Sequence, residues 1–296
     1  DDAAGIVVTP TSGIVTSEAG GTATFTVRLS STPTANVTIA LSSSDGSEGT
    51  LSQNSLTFTP ANAFNPQTIT VSGVDDTIID GSVAYTIVTA PATSTDPVYS
   101  GRDAADVSVS NLDNDVAGII VTPASGLVTS EAGITASFTM RLSSTPSSDV
   151  IVAISSSDTT EGTVSPSSIT ITTANWNQPQ PVTVTGVDDT IADGNINYSI
   201  VTAAASSADP NFNGVNPSDV SVINNDNDSP GITVTPTSGL VTNEGGGIAT
   251  FQIVLNTTPT SDVTIPLSST DTTEGTVSSP NVTFTPADAL IPKVVT

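Results

Sequence analysis

The carboxylates are the residues of this chain that could do chemistry. The sequence has 29 acidic and 4 basic side chains, no histidine and no cysteine, and its formal net charge is −25. Without imidazole or thiol groups there is no His base, no Cys nucleophile, no disulfide and no zinc site of the usual nitrogen and sulfur type. Four scattered cations cannot build the basic face that nucleic-acid binding needs, so that class is excluded as well.

The acidic residues recur at a fixed spacing of 113 residues. Three windows align without gaps and begin at residues 5, 118 and 231: GIVVTPTSGIVTSEAG, GIIVTPASGLVTSEAG and GITVTPTSGLVTNEGG. All six glutamates fall at two positions of this register, and many aspartates repeat in it. The glutamates are Glu18, Glu131 and Glu244, and Glu48, Glu161 and Glu274; the aspartates include Asp45, Asp158 and Asp271, Asp75–Asp76 and Asp188–Asp189, and Asp80 and Asp193. A period of this length is the size of a domain, which predicts tandem domains rather than a solenoid.

The register also predicts where the domains begin and end. We expect a first repeat at 1–115, a second at 116–228 and a third, truncated, at 229–296. Asp1 and Asp2 occupy the register of Asn114 and Asp115, so we expect the chain to be a window onto a longer array. An alternative is that another subunit donates the strands that the third repeat lacks.

Alternation of apolar and polar residues predicts β-strands with one face towards a core. Phe25, Val27 and Leu29 alternate with threonine and arginine, and similar runs follow along each repeat. Turn residues such as those of Asp45-Gly46 and Asp80-Gly81 separate the runs. Roughly seven strands per repeat with frequent turns are typical of a sandwich. The predicted fold is therefore all-β, a tandem of immunoglobulin-like antiparallel β-sandwiches, and no apolar run is long enough to span a membrane.

The repeated acids fall in segments that flank strands, and such segments cluster at the ends of a sandwich. If the segments share one end, up to seven carboxylates of a repeat converge there. Two carboxylates 4 Å apart repel each other by about 4 kcal/mol at an effective dielectric constant near 20. No lysine or arginine repeats nearby, so a divalent cation with oxygen ligands is the expected counter-charge, and Ca²⁺ suits flexible oxygen ligands better than Mg²⁺. The alternative is a solvated acidic surface.

These residues resemble the Calx-beta domain, an immunoglobulin-like sandwich known from the calcium-sensing loop of sodium/calcium exchangers and from bacterial surface proteins. The matching pieces are the TSEAG, SSSD, VDDTI and LDND segments, in two full copies and one partial copy. The resemblance implies that calcium binds at one end of each sandwich, beside the linker. The implied ligands are Glu18, Asp45, Asp75, Asp76, Asp113 and Asp115 in the first repeat and Glu131, Asp158, Asp188, Asp189, Asp226 and Asp228 in the second, with the backbone carbonyls of Ile78 and Ile191 as further ligands.

The sequence departs from the family pattern in two places. After the DD turn only Asp80, or Asp193, remains of an acidic run, and Asn114 and Asn227 interrupt the terminal acidic triplet. We keep Asp80 and Asp193 as candidate ligands and expect about one to three ions per site. Two other sets are left open. Glu48, Glu161 and Glu274 could support the ligands or be solvated. Asp106 and Asp219, at the start of the last strand, could be ligands or structural residues. Asp96 and Asp209, each before a proline, are expected to shape a loop.

The favoured function is structural. Tandem sandwiches with a calcium site at each short link would form a calcium-stiffened rod in an extracellular filament, surface layer or adhesin stalk, located outside the cell or on its surface. Its expected partners are calcium, neighbouring repeats and identical chains in a lattice. The alternatives are a calcium sensor and a carbohydrate-binding module; the sole tryptophan, Trp176, stands in the register of Ala63 and Ala289, so no aromatic platform repeats. We do not expect an enzyme, although paired carboxylates are also found in glycosidases.

Overall fold

The computed structural model describes residues 3–296, and spatial contacts divide them into two compact units. Unit 1 extends to Gly118 and also takes in Leu142–Ser148 and Thr173–Asn177; unit 2 consists of Ile119–Arg141, Asp149–Thr172 and Gln178–Thr296. Within residues 3–296 the secondary structure is β-strand and turn without helix, and so no helix there could cross a membrane. The all-β prediction is confirmed, and the repeat boundaries stay a prediction.

The first repeat contains ten strands. They are β1 (Ile6–Thr9), β2 (Ile14–Ser17), β3 (Thr22–Leu29), β4 (Val37–Ser43), β5 (Gly49–Leu51), β6 (Ser55–Phe58), β7 (Gln67–Gly73), β8 (Val83–Thr89), β9 (Thr93–Ser94) and β10 (Val107–Leu112). One sheet has the order β1-β3-β7-β5 and the other β2-β10-β8-β4-β6, with β9 paired to β4. The count exceeds the predicted seven because β5 and β9 are short and because the first extended run is divided between the two sheets. Pro10, which lacks an N–H donor, and Gly13, at φ +74°, lie at that division.

The second repeat has the same ten strands in the same order. They are β11 (Ile119–Thr122), β12 (Leu127–Ser130), β13 (Thr135–Leu142), β14 (Val150–Ser156), β15 (Gly162–Ser165), β16 (Ser168–Ile171), β17 (Gln180–Gly186), β18 (Ile196–Thr202), β19 (Ser206–Ser207) and β20 (Val220–Asn225). The third segment has β21 (Ile232–Thr235), β22 (Phe251–Leu255), β23 (Val263–Pro266), β24 (Asn281–Phe284) and β25 (Lys293–Val295), in sheets β21-β22-β25 and β23-β24.

The core lies between the two sheets and is made by the residues that the alternation predicted. Phe25, Val27 and Leu29 on β3 are at most 1% exposed, and Ile69 and Val71 on β7 are fully buried. The alternate positions carry threonine and serine, whose short polar side chains face outwards. Burial of the apolar face of the longer strands holds each sandwich together without a disulfide, since the chain has no cysteine.

The strand directions bring four loops of the first repeat to the same end. The ladder is antiparallel except for one pair: β2 runs parallel to β10, with Ile14 opposite Val109 and Ser17 opposite Leu112. Both β10 and β4 are antiparallel to β8, so β2, β4 and β10 run in the same direction. Their C-terminal ends therefore lie at the same end of the sandwich. In the other sheet β7 ends beside the start of β3. The residues that follow β2, β4, β7 and β10 therefore meet.

Asp96 has a separate, structural role in the loop after β9. Its side chain is 3% exposed, and its two oxygens accept hydrogen bonds from the backbone N–H groups of Thr34 (2.7 Å) and Val98 (2.8 Å). This agrees with the expectation that Asp96 shapes a loop. The same N–H donors favour the ionised carboxylate, which lowers the pKa of Asp96 below its ordinary value.

We expect the Asp96→Asn variant to melt a few degrees below the parent chain at neutral pH and to bind calcium unchanged. A carboxyl whose pKa is lowered in the folded state stabilises that state above its unfolded pKa near 4, and the stabilisation is lost as pH falls through the folded pKa. The difference between parent and variant should therefore shrink below about pH 4, as followed by circular dichroism melts from pH 2 to 7. A difference that is constant across this range would contradict the role of the charge.

Candidate metal centre

Two groups of carboxylates form at the shared end of the first repeat. The strand-end cluster consists of Glu18, Asp113 and Asp115, and the turn cluster consists of Glu48, Asp76 and Asp80. In each group one oxygen from every residue lies within 4.8 Å of the corresponding oxygens of the other two. Two oxygens on opposite sides of a Ca²⁺ ion, each about 2.3–2.6 Å from it, stand roughly 4.6–5.2 Å apart. The spacing of both clusters therefore fits a calcium ion.

The strand-end cluster is held by backbone hydrogen bonds. Glu18 directly follows β2, and its N–H donates to the carbonyl of Leu112 at 3.0 Å. Its side chain is 4% exposed and accepts a hydrogen bond from the N–H of Asn114 at 3.1 Å. Asp113 accepts from the N–H groups of Asp115 (2.7 Å) and Gly81 (2.8 Å). These bonds fix the segment after β10 against the segment after β2.

Asp115 has the feature that most favours a cation site. Its Oδ2 is buried and has no hydrogen-bond partner, and the equivalent Oδ2 of Asp228 in the second repeat is in the same condition. A buried carboxylate oxygen without a donor is costly unless a cation or a proton compensates it. The same unusual feature at equivalent positions of both repeats indicates a site made for a cation.

The turn cluster joins the segment after β4 to the turn after β7. Glu48 is 5% exposed, and Asp76 and Asp80 lie in the turn between β7 and β8. The N–H of Ile78 donates to Asp76 Oδ1 at 2.7 Å, which closes this turn, while the carbonyl of Ile78 accepts from the N–H of Asp80 at 3.0 Å. A carbonyl oxygen has two lone pairs, so that of Ile78 keeps one for a further partner.

Burial and mutual repulsion raise the pKa values of these acids. Burial is the largest cause for Glu18, Glu48, Asp80 and Asp115, and neighbouring carboxylates add to it. The charge of Asp76 contributes to the raised pKa of all four residues, so this member of the turn cluster also interacts with the strand-end cluster. The end of the sandwich therefore carries a high density of negative charge, and a bound divalent cation would reduce the repulsion among these carboxylates.

The second repeat reproduces both clusters, and the third segment does not. The second strand-end cluster is Glu131, Asp226 and Asp228, and the second turn cluster is Glu161, Asp189 and Asp193. Burial raises the pKa of Glu131, Glu161 and Asp228. In the third segment the register equivalents Glu244, Asp271 and Glu274 are exposed, and the described residues there include no counterpart of β8 or β10.

The sequence-predicted ligands are only partly brought together. Asp45 lies outside both clusters: its Oδ1 accepts hydrogen bonds from the hydroxyl of Ser47 and from the N–H of Ser47 at 3.0 Å, and these two bonds lower the pKa of Asp45. Asp75 also lies outside them and accepts from Asn114 Nδ2 at 3.1 Å. The corresponding bonds in the second repeat involve Asp158 with Thr160, Asp188 with Asn227, and Asp189 with Ile191. Glu48 and Glu161, which the sequence left open, are cluster members. The sequence signal for them was their place in a repeated D-x-x-E-G-T turn.

Comparison with protein families finds one family at two places along the chain. The family model of the Calx-beta domain matches residues 1–115 and, a second time, residues 112–228. The chain belongs to the Calx-beta family. Calx-beta domains bind Ca²⁺, and they are binding or regulatory modules rather than catalytic ones. Two of them in tandem make this chain a calcium-binding module.

Solved structures of calcium-binding domains are also similar to this chain, at low sequence identity. CBD12 from CALX1.2 is 12% identical, covers 73% of this chain and 98% of its own, and has a TM-score of 0.34. The calcium binding domain CBD12 of CALX1.1 is 14% identical, covers 68% of this Calx-beta chain and 80% of its own, and has a TM-score of 0.34. No curated protein matches the sequence.

Proposed function

We propose that this chain is a structural Calx-beta array of an extracellular or cell-surface protein, such as a filament, surface layer or adhesin stalk, and that calcium stiffens its consecutive repeats. The proposed ligands are the four clusters, with Asp45, Asp75 and the Ile78 carbonyl and their equivalents Asp158, Asp188 and Ile191 as additional oxygen donors. A bound Ca²⁺ supplies two positive charges and six to eight flexible coordination positions. The carboxylates supply the matching oxygens, two of them otherwise without partners.

The observation that carries the stiffening proposal is the second role of the Asp75–Asp80 turn. Within unit 1 the N–H of Thr145 donates to the carbonyl of Thr77 at 2.7 Å, and the two threonine hydroxyls lie 2.7 Å apart. Within unit 2 Thr258 makes the same two contacts with Thr190. The turn that carries Asp76 also bonds to Thr145, which stands in the register of the second repeat, and this supports a link between ion binding and chain flexibility.

Calcium should narrow the range of conformations that the full chain samples in solution. Small-angle scattering of residues 1–296 in millimolar calcium should give a smaller spread of maximum dimensions than in chelator, because the turn after β7 is held when its carboxylates are neutralised. The Thr77→Val and Thr190→Val double variant removes the two hydroxyl contacts at nearly unchanged volume and should reduce this calcium effect while calcium still binds. Identical scattering curves with and without calcium, at saturating binding, would contradict the stiffening proposal.

Affinity separates the structural proposal from its alternative, a calcium sensor. Sensors bind at about 10⁻⁷–10⁻⁵ M, whereas extracellular modules bind at about 10⁻⁴–10⁻³ M. Isothermal titration of the full chain measures this directly. We expect the weaker range, and a submicromolar dissociation constant would favour the sensor.

A further inference from the structure

The side chain of Asn111 is buried behind both carboxylate clusters of the first repeat. It is 1% exposed. Its Oδ1 accepts a hydrogen bond from the hydroxyl of Thr16 at 3.0 Å, and its Nδ2 donates to the carbonyl of Val74 at 3.2 Å and to Glu48 Oε2 at 3.3 Å. The carbonyl of Val74 and the ionised carboxylate of Glu48 can only accept hydrogen bonds, so the amide must turn its nitrogen towards them. Three hydrogen bonds therefore fix this side chain in one orientation.

Each partner of Asn111 belongs to a different acid-bearing segment. Thr16 lies on β2, two residues before Glu18, and Val74 directly precedes Asp75 and Asp76. Glu48 is itself in the turn cluster, and Asn111 lies on β10, two residues before Asp113. One amide group thus fixes the relative register of the four segments that supply both clusters.

Two glycines leave room for this arrangement. A Cβ atom on Gly73 would stand 2.5 Å from Asn111 Oδ1 and 2.4 Å from the carbonyl oxygen of Ser17. On Gly49, which follows Glu48, a Cβ would stand 2.1 Å from the hydroxyl of Tyr85, and this hydroxyl in turn lies 3.3 Å from Thr16 Oγ1. The backbone is therefore packed directly against the polar group, which leaves Asn111 little freedom to move.

The second repeat has the same construction around Asn224. Its Oδ1 accepts from Thr129 at 3.0 Å, and its Nδ2 donates to Val187 O at 3.2 Å and Glu161 Oε2 at 3.3 Å. The chain thus contains two matched examples of the arrangement.

We propose that Asn111 and Asn224 are positioning residues for calcium: each holds the glutamate of the turn cluster against the strand that leads to the strand-end cluster, so that both clusters are preformed together. This inference rests on the proposed ligands. An amide suits the position because it donates to a carboxylate without adding charge. A lysine or arginine would compete with the cation, and an aspartate would add to the repulsion and lose the donor.

The test measures calcium affinity and stoichiometry of the full chain by isothermal titration, with the circular dichroism melt of the ion-free chain as a second readout. Asn111→Ala should weaken binding at the first repeat by about 10–100-fold, the usual cost of removing a group that orients a metal ligand. The ions of the second repeat, with Asn224 intact, should keep the parent affinity. Asn111→Ala with Asn224→Ala should weaken both sets.

Thr16 provides a milder pair of variants in case Asn111→Ala prevents the first repeat from folding. Thr16→Val keeps the side-chain shape but removes the hydroxyl that anchors Asn111 Oδ1, and should weaken calcium binding; Thr16→Ser restores the donor and should recover most of it. A purely structural role would lower the melting temperature of the ion-free chain yet leave the calcium affinity of both variants at the parent value, which would overturn the inference. Failure of the parent chain itself to bind calcium would instead overturn the proposed function.

Discussion

Addition of millimolar calcium to the ion-free chain should raise its melting temperature by on the order of 10 °C. For a site with a dissociation constant of about 10⁻⁴ M, calcium at about 1 mM is present at ten times that constant and adds about 1.4 kcal/mol to the free energy of unfolding per site. For a domain of roughly 100 residues, 1 kcal/mol corresponds to several degrees. Part of this binding free energy comes from relief of the repulsion among the buried Glu18 and Glu48 and the half-buried Asp115. Differential scanning calorimetry with calcium and with chelator measures it.

Two controls separate a specific site from general screening of the negative charge. Sodium chloride at the same ionic strength should reproduce only a small part of the gain, because salt screens exposed charges far better than buried ones. Protons should compete with calcium, since the pKa values of Glu18, Glu48, Asp80 and Asp115 are raised. A raised carboxyl pKa favours the folded state below that pKa and loses the advantage as pH rises through it. The calcium-dependent gain should therefore be greatest at neutral pH; an equal gain in sodium chloride would favour a solvated acidic surface.

The Asp76→Asn variant should remove most of the calcium-dependent stabilisation of the first repeat and none from the second. Asp76 belongs to the turn cluster and also repels Glu18 and Asp115 of the strand-end cluster, so one substitution affects both. Loss of a group that merely orients a ligand costs about 10–100-fold in metal affinity, and a direct ligand should cost at least about 100-fold. Isothermal titration should show about half of the parent's tightly bound ions.

Neighbouring and equivalent residues supply the matched controls for Asp76. Asp75→Asn changes the same charge one residue away. Because Asp75 lies outside both clusters and is proposed only as an additional donor, it should lower the affinity less than Asp76→Asn does. Asp189→Asn should give the mirror result, with ions lost from the second repeat, and the double variant should lose both sets. Equal loss from both repeats in either single variant would show that the sites are not local to each copy.

The convergence of the acids could be predicted from the sequence because it follows from strand direction. Alternation located the strands that end before Glu18, Asp45, Asp75 and Asp113, and a sandwich has only two ends to which their loops can go. The structure places Glu18, Asp76, Asp80, Asp113 and Asp115 in the two clusters, and their role as ligands stays a prediction. The parallel pairing of β2 with β10 could not be read from the pattern, since an alternating strand looks the same whichever way its neighbour runs.

The burial of the acidic side chains could not be predicted from the local sequence. Glu48 lies in a Gly- and Ser-rich turn that looks solvated, yet it is buried because β8 and β10 bring Tyr85 and Asn111 against it from distant parts of the chain. The exposed Glu274 shows the same motif without those strands. Asp45 is the opposite case, since an acid in a turn can satisfy its oxygens locally, as it does with Ser47. Its place among the ligands stays a prediction.

The parallel pairing of β2 with β10 has a mechanical consequence. Tension carried along the chain enters this pair at Ile14 and leaves it at Leu112, at opposite ends of the two strands. The load therefore acts in shear, and the hydrogen bonds between the strands must fail together instead of opening one after another like a zipper. Glu18 and Asp113 are the next residues after the two strands. A cation shared by them would cross-link the strands at the end where the force leaves the pair.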